Sequence, residues 1–144
     1  MTEILVAVDG HEHCKRIVDT AIQLAKPLSA KIILTYVAPK LSVPDEYAAS
    51  LQQEEPVTED YYEEFSKRML GDLDARARKQ GVQVETLFGV GNPTDYIIEK
   101  AKSRKVSLIV IGACATHRLK GIRSIGSVTT RVIQNSPVPV VAVP

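Results

Sequence analysis

Continuous apolar runs alternate along this chain with segments in which apolar residues recur every three or four positions. Ile4 to Val8 is uniformly apolar, as a strand covered on both faces would be, and Asp9-Gly10 interrupts it. Cys14, Ile17, Val18, Ala21, Ile22 and Ala25 follow at helical spacing, and Pro27 is expected to close that helix. Lys31 to Val37 reads as a second strand, ending before Pro39. From Pro39 to Asp60, prolines at 39, 44 and 56 break up acidic and small residues. This stretch predicts a long connection with a helical turn around Glu46 to Gln53. The helical period resumes at Tyr62, Phe65, Met69, Leu73 and Ala77, and Gly81 fits the cap after it. Val82, Val84, Thr86 and Phe88 alternate with Gln83 and Glu85, the pattern of a half-exposed strand, and Gly89-Val90-Gly91 predicts a turn. Asn92-Pro93 supplies an N-cap and a first-turn proline to a helix running to about Arg104, with Tyr96, Ile97 and Ala101 facing inward. Leu108 to Ile111 is a further apolar run, ended by Gly112. After the basic loop Ala113 to Ile125, Gly126-Ser127-Val128-Thr129 opens a short helical pattern. Asn135-Ser136-Pro137 stops that pattern, and Val138 to Val143 is the last strand.

Strands and helices therefore alternate from one end to the other. Such an order predicts an α/β fold, a parallel sheet wrapped by helices through right-handed crossovers. Ligands of such sheets bind outside the carboxyl ends of the strands, where the strand order reverses. Asp9-Gly10, Val37-Ala38 and Gly112-Ala113 all fall at those ends.

The length, 144 residues, suits one domain that buries roughly two-thirds of its unfolded surface. No apolar run approaches the ~20 residues of a membrane span, and the first residues read as a strand and not as a signal peptide. Two cysteines, Cys14 and Cys114, argue against a disulfide framework and for a reducing, cytoplasmic setting. The net charge of +1 hides an asymmetry. Every ionisable residue from Pro44 to Phe65 is acidic, whereas from Lys100 onward there are Lys, Arg and His117 but no acid. A basic C-terminal third can attract phosphate. With few aromatics and no recognised binding motif, nucleic acid is not expected as a partner.

The segment from Leu108 to Thr129 carries the clearest chemistry: a buried strand, a glycine, a basic loop, then a glycine that opens a helix. Helix N-termini present free N–H groups and the positive end of the dipole, so this arrangement suits an anion such as phosphate. The same residues also fit a plainer reading in which Gly112 ends a strand, Ser127 caps a helix and Asp9 bonds its own turn. No Walker lysine motif, no GxSxG elbow and no acid–base pair accompanies the segment, so no catalytic residue is assigned. Slow ATP hydrolysis is compatible with the sequence.

Taken in order, several segments resemble the universal stress protein family over nearly the whole chain. They are Ile4-Leu5-Val6-Ala7-Val8-Asp9-Gly10, Gly91-Asn92-Pro93 with Ile97-Ile98 and Ala101, Leu108 to Gly112, Gly126-Ser127-Val128-Thr129, and Ser136-Pro137-Val138-Pro139-Val140-Val141-Ala142-Val143. The resemblance implies a five-stranded parallel α/β sandwich, Rossmann-like, in strand order 3-2-1-4-5 with helices on both faces. It further implies a cytoplasmic stress-response protein that acts through protein partners and pairs as a homodimer through Val138 to Val143. A valine-rich strand at a sheet edge is a pairing template unless covered. One branch of the family binds ATP through a glycine, two residues, a second glycine, nine residues, and a glycine followed by serine or threonine. Gly112, Gly126 and Ser127 match the outer elements here. Ala115 stands in place of the second glycine, and ten residues instead of nine precede Gly126. A β-carbon at Ala115 hinders a backbone N–H from approaching phosphate. The added residue re-aims the loop at little entropic cost.

By that resemblance the ligand is ATP or AMP, with Mg²⁺ as an accompanying ion. Gly112, Ala115, Gly126 and Ser127 would donate to phosphates, and Val128 and Thr129 would complete the helix start around the α-phosphate or ribose. Asp9 would accept from a ribose hydroxyl or help hold Mg²⁺, Val37 would read adenine with its backbone, and Ala7 would border the base or ribose. Two other readings stand beside this one. The first is a dimeric scaffold that binds no nucleotide and meets partners through its altered loop and acidic segment. The second places His11, His13, Cys14, Cys114 and His117 in adjoining loops as a zinc or redox module, since thiolate and imidazole suit zinc.

Overall fold

The computed structural model describes residues 1–9, 14–38, 59–113 and 125–144, with side chains of the helix beginning at Glu59 described from Glu63 on. Five strands, β1 (Glu3–Val8), β2 (Lys31–Ala38), β3 (Val84–Val90), β4 (Leu108–Gly112) and β5 (Val140–Val143), form one parallel sheet in the order β3-β2-β1-β4-β5. Four helices are interleaved among the described residues: α1 (Cys14–Leu28), α2 (Glu59–Arg78), α3 (Pro93–Ser103) and α4 (Ser127–Asn135). The strand order is the one that the family resemblance implies.

The strand sequences determine the layering. In β1, Ile4, Val6 and Val8 turn to one face and Leu5 and Ala7 to the other, and both sets are buried. On the first face they meet Ile17, Val18, Ala21 and Ile22 of α1 and Leu70, Leu73 and Ala77 of α2. On the second they meet Ile97 and Ala101 of α3 and Val132 of α4. The central strands are thus apolar at successive positions because neither face is exposed to water.

Several boundaries depart from the sequence expectation, each for a local reason. Pro27 does not close α1; it lies in the last turn, where its missing N–H costs a single bond to the Gln23 carbonyl, and the helix ends at Leu28, before Ser29 at φ +50°. Gly89 and Val90 belong to β3 and pair with Val37 and Ala38, so the turn begins only at Gly91, whose φ of +137° favours glycine. Val82 precedes β3, although it is buried. The last strand starts at Val140 and not Val138, because Pro139 offers no N–H; its carbonyl still accepts from Ile109 N at 3.0 Å. In α2, Leu73 and Ala77 are buried as the spacing predicts, but the turns before them bury Ser66 and Leu70 in place of Phe65 and Met69. Ser66 tolerates burial by donating to the Glu63 carbonyl at 2.7 Å, while Phe65 stays 43% exposed with its ring 6.1 Å from that of Tyr36. The side chain of Tyr62 lies outside the described residues, as does the expected turn around Glu46 to Gln53.

At the amino ends of the strands an ion cluster joins three strands to the end of α3. Arg104 Nη2 donates to Glu3 Oε1 and Glu85 Oε1, each at 3.1 Å, its Nη1 donates to Glu85 Oε2, and Lys31 Nζ lies 2.8 Å from Glu85 Oε1. The guanidinium of Arg104 and then the Lys31 ammonium hold the Glu85 carboxyl down to about 2, from 4.5. A carboxyl lowered in the folded state contributes stability above its unfolded value and loses it as pH falls towards the folded one. Urea midpoints should therefore decline from about pH 5 to about pH 3, and Arg104→Met should flatten that decline. Equal declines in both proteins would show that the cluster has no net effect.

Candidate functional site

The order of the sheet reverses at β1: the chain passes from β1 to β2 on one side, and β4 then flanks β1 on the other. α1 and α2 cover one face and α3 and α4 the other, so the carboxyl ends of β1 and β4 border a switch point of the kind in which α/β sheets bind ligands. Most of the residues singled out from the sequence are placed here. Ala7 is buried and pairs with Ile111. Asp9 follows β1 directly and is exposed, and its Oδ1 accepts from Cys14 Sγ at 3.5 Å across the start of α1. Val37 is buried near the end of β2, one strand further out. Gly112 ends β4, and Gly126, Ser127, Val128 and Thr129 form the start of α4. Ala115 lies outside the described residues.

The two helices on this second face begin in contrasting ways. α3 is self-contained: the Asn92 side chain accepts from Asp95 N at 3.1 Å, and Asp95 adds a carboxylate to the first turn. That helix start already holds the acceptor and the negative charge that its N–H groups favour. α4 has neither. Its N-cap is Gly126, with no side-chain cap and no acid in the first turn. Gly126 takes φ −63° and ψ 153°, extended values open to any residue, so the backbone conformation does not demand glycine. What glycine provides is the lack of a side chain at the N-cap, next to the N–H groups of Ser127, Val128 and Thr129. Those groups have no intrahelical acceptor.

Three hydrogen bonds at this edge, made by Ala113 and Thr129, gave no signal in the sequence. Ala113 acts as a joint: its N–H donates to the Val143 carbonyl at 2.7 Å, and its carbonyl accepts from Gly126 N at 3.1 Å. Thr129 is buried and donates its hydroxyl to the Gly112 carbonyl at 2.5 Å, which leaves its backbone N–H as the donor it can offer a ligand. Cys14 is buried in the helix face, as its place in the helical spacing anticipates, and its thiol also meets Asp9. Among the described residues no cluster of three or more His, Cys, Asp or Glu could hold a metal ion. His11, His13, Cys114 and His117 lie outside the described residues, and so does most of the acidic segment. No helix of the described residues is long and apolar enough to cross a membrane.

Comparison with known proteins agrees with this fold. The model of the universal stress protein family matches residues 1–144. Universal stress protein YxiE of Bacillus subtilis is 32% identical over 148 residues, covering 98% of this chain and 97% of its own. The structure of universal stress protein UspA from Lactobacillus plantarum is similar in fold, with a TM-score of 0.79 at 23% identity over 99% of this chain and 97% of that one. A universal stress protein solved in complex with cAMP has a TM-score of 0.73 at 26% identity, covering 99% and 97% of the two chains.

Proposed function

This chain belongs to the universal stress protein family, and from that premise we propose that it binds an adenine nucleotide at the carboxyl edge of its sheet and acts through protein partners in a cytoplasmic stress response. The observation that carries the reading is the open start of α4. A glycine N-cap without a side-chain cap or acidic first turn leaves oriented donors and a positive dipole end for an anion from outside the chain. The neighbour in complex with cAMP supports an adenine nucleotide as the source of that anion.

In this reading Gly112, Ala115, Gly126 and Ser127 donate to phosphate, with the N–H groups of Val128 and Thr129 behind them. Asp9, exposed at the end of β1, takes a ribose hydroxyl or Mg²⁺. Val37 and Ala7 border the base. The ligand is ATP or AMP, and its binding, not its turnover, is the output. Calorimetric titration of AMP, and of ATP with and without Mg²⁺, tests the proposal. Saturable binding at micromolar affinity or tighter is expected. No heat together with no nucleotide retained on purification would leave the scaffold reading, in which the altered loop and the acidic segment meet partners directly.

The partner surface includes a second copy of the chain. Among the described residues β5 pairs only with β4, and its apolar Val140 and Val141 are half-buried while Ala142 is exposed. Pairing through Val138 to Val143 would satisfy this open edge. Sedimentation should show a dimer, and Ala142→Lys, a charge at an exposed edge position, should shift it to monomer with the far-UV spectrum retained. A wild-type monomer at micromolar concentration would remove this interface.

A further inference from the structure

We propose that Thr129 is a positioning residue for the phosphate part of this site, fixing the start of α4 against the end of β4 through its buried hydroxyl. The inference rests on the nucleotide reading above and assigns that hydroxyl a role apart from ligand contact. Thr129 is only 4% exposed and shares the buried face of α4 with Val132. An apolar β-branched residue would satisfy that burial equally well; the hydroxyl is needed only for the carbonyl of Gly112, 2.5 Å away. Thr130, next along, gives its hydroxyl to Gly126 O at 3.0 Å within its own helix, so it ties nothing to the sheet. Among the described residues, Thr129 is the first-turn side chain that bonds α4 to a strand.

The chemistry explains why such a tie matters here. Gly112 ends β4, its carbonyl lies within a hydrogen bond of the helix start, and left unbonded it would keep its full partial negative charge near an anion held there. The Thr129 hydroxyl engages that oxygen. At the same time it sets the distance between strand end and helix start, which the bond from Gly126 N to Ala113 O at 3.1 Å supports from the backbone. Oriented donors stabilise an anion best when they are held in place beforehand. The tie should therefore affect phosphate affinity and leave the base and ribose contacts assigned above to Ala7, Asp9 and Val37 almost unchanged.

The test compares AMP with adenosine on the full chain. Thr129→Val keeps the shape and removes the donor, and Thr129→Ser keeps the donor. The valine variant is expected to bind AMP about tenfold more weakly, the equivalent of one ordinary hydrogen bond, with adenosine affinity changed less than about twofold. Serine should restore AMP affinity. Equal losses for AMP and adenosine, or no loss for either, would overturn the proposal and leave Thr129 a packing residue. Amide exchange at Thr130 gives a second readout that needs no ligand. Its N–H closes the first turn onto Gly126 O at 2.9 Å, and it should exchange about tenfold faster in the valine variant with β4 unaffected. Equal exchange would also overturn the tether. Absence of AMP binding by the unmodified protein would instead remove the nucleotide reading itself, and this role with it.

Discussion

Replacing Gly126 with valine is expected to weaken AMP binding about a hundredfold and to cost about 1 kcal/mol or less of folding stability. The two effects separate because they have different causes. Valine can adopt φ −63° and ψ 153°, so the backbone need not move. Valine is a poor N-cap, which accounts for the small stability loss. Its added side-chain bulk, however, is expected to crowd the first-turn N–H groups, beside which glycine places none. Two donors lost to an anion, at about 1.5 kcal/mol each, give the hundredfold. A companion variant makes the separation sharper. In Gly126→Asp the carboxylate should cap Val128 or Thr129 itself, as Asn92 caps α3, and raise stability by a few tenths of a kcal/mol. The same carboxylate should exclude the nucleotide by occupying its donors and repelling its charge. Stability and affinity then move in opposite directions. Calorimetry with AMP and urea unfolding of both variants decide the matter. Undiminished affinity in the valine variant would remove the start of α4 from the site.

Much of this architecture could be read from periodicity alone, and the exceptions have physical causes. Buried strands such as β1 and β4 announce themselves because both faces must be apolar. A helix such as α1 does so because six buried positions repeat at its period. In α2 the buried positions Leu73 and Ala77 are legible, but the first turns are not, because Ser66 is polar in the sequence and is satisfied in the fold by a bond to the Glu63 carbonyl. β3 runs two residues further than its glycine suggests because sheet pairing with β2 outweighs the turn preference of Gly89. Strand order could not be read from spacing; it entered with the family resemblance. At the site, Gly112, Gly126 and Ser127 stood out as punctuation between a strand and a helix. The joint at Ala113 and the bond from Thr129 did not, since their partners are backbone atoms brought close by the sheet. The contrast between α3 and α4 was half legible. Asn92-Pro93 advertises a cap, but a glycine before a helix reads the same whether it is a cap of convenience or an open cradle.

Gly89→Ala should lower stability by about 2 kcal/mol, against the usual benefit of removing a glycine from a strand. Gly89 lies inside β3 opposite Val37, and its φ falls outside the left-handed region, so alanine meets no conformational penalty. On entropy alone the substitution would stabilise by about 0.4–1 kcal/mol. Packing reverses the sign. A β-carbon at this position would lie 2.7 Å from Cδ2 and 2.8 Å from Cζ of the Tyr96 ring, with Cε2 closer still. The ring cannot easily withdraw, for Tyr96 stands in the first turns of α3, its hydroxyl donates to the Phe88 carbonyl at 3.4 Å, and Lys100 Nζ sits 5.4 Å from its centroid. Either the ring or the helix must shift, and overpacking of this kind costs about 1–3 kcal/mol. The cause can be isolated with a double-mutant cycle. If the ring is the obstacle, Gly89→Ala should cost far less in a Tyr96→Leu background, where the side chain is smaller and can turn aside. Equal costs in both backgrounds, read from urea unfolding, would place the strain in the strand and not at the seat of α3. A stabilising Gly89→Ala would show that α3 can rise from the sheet at little expense.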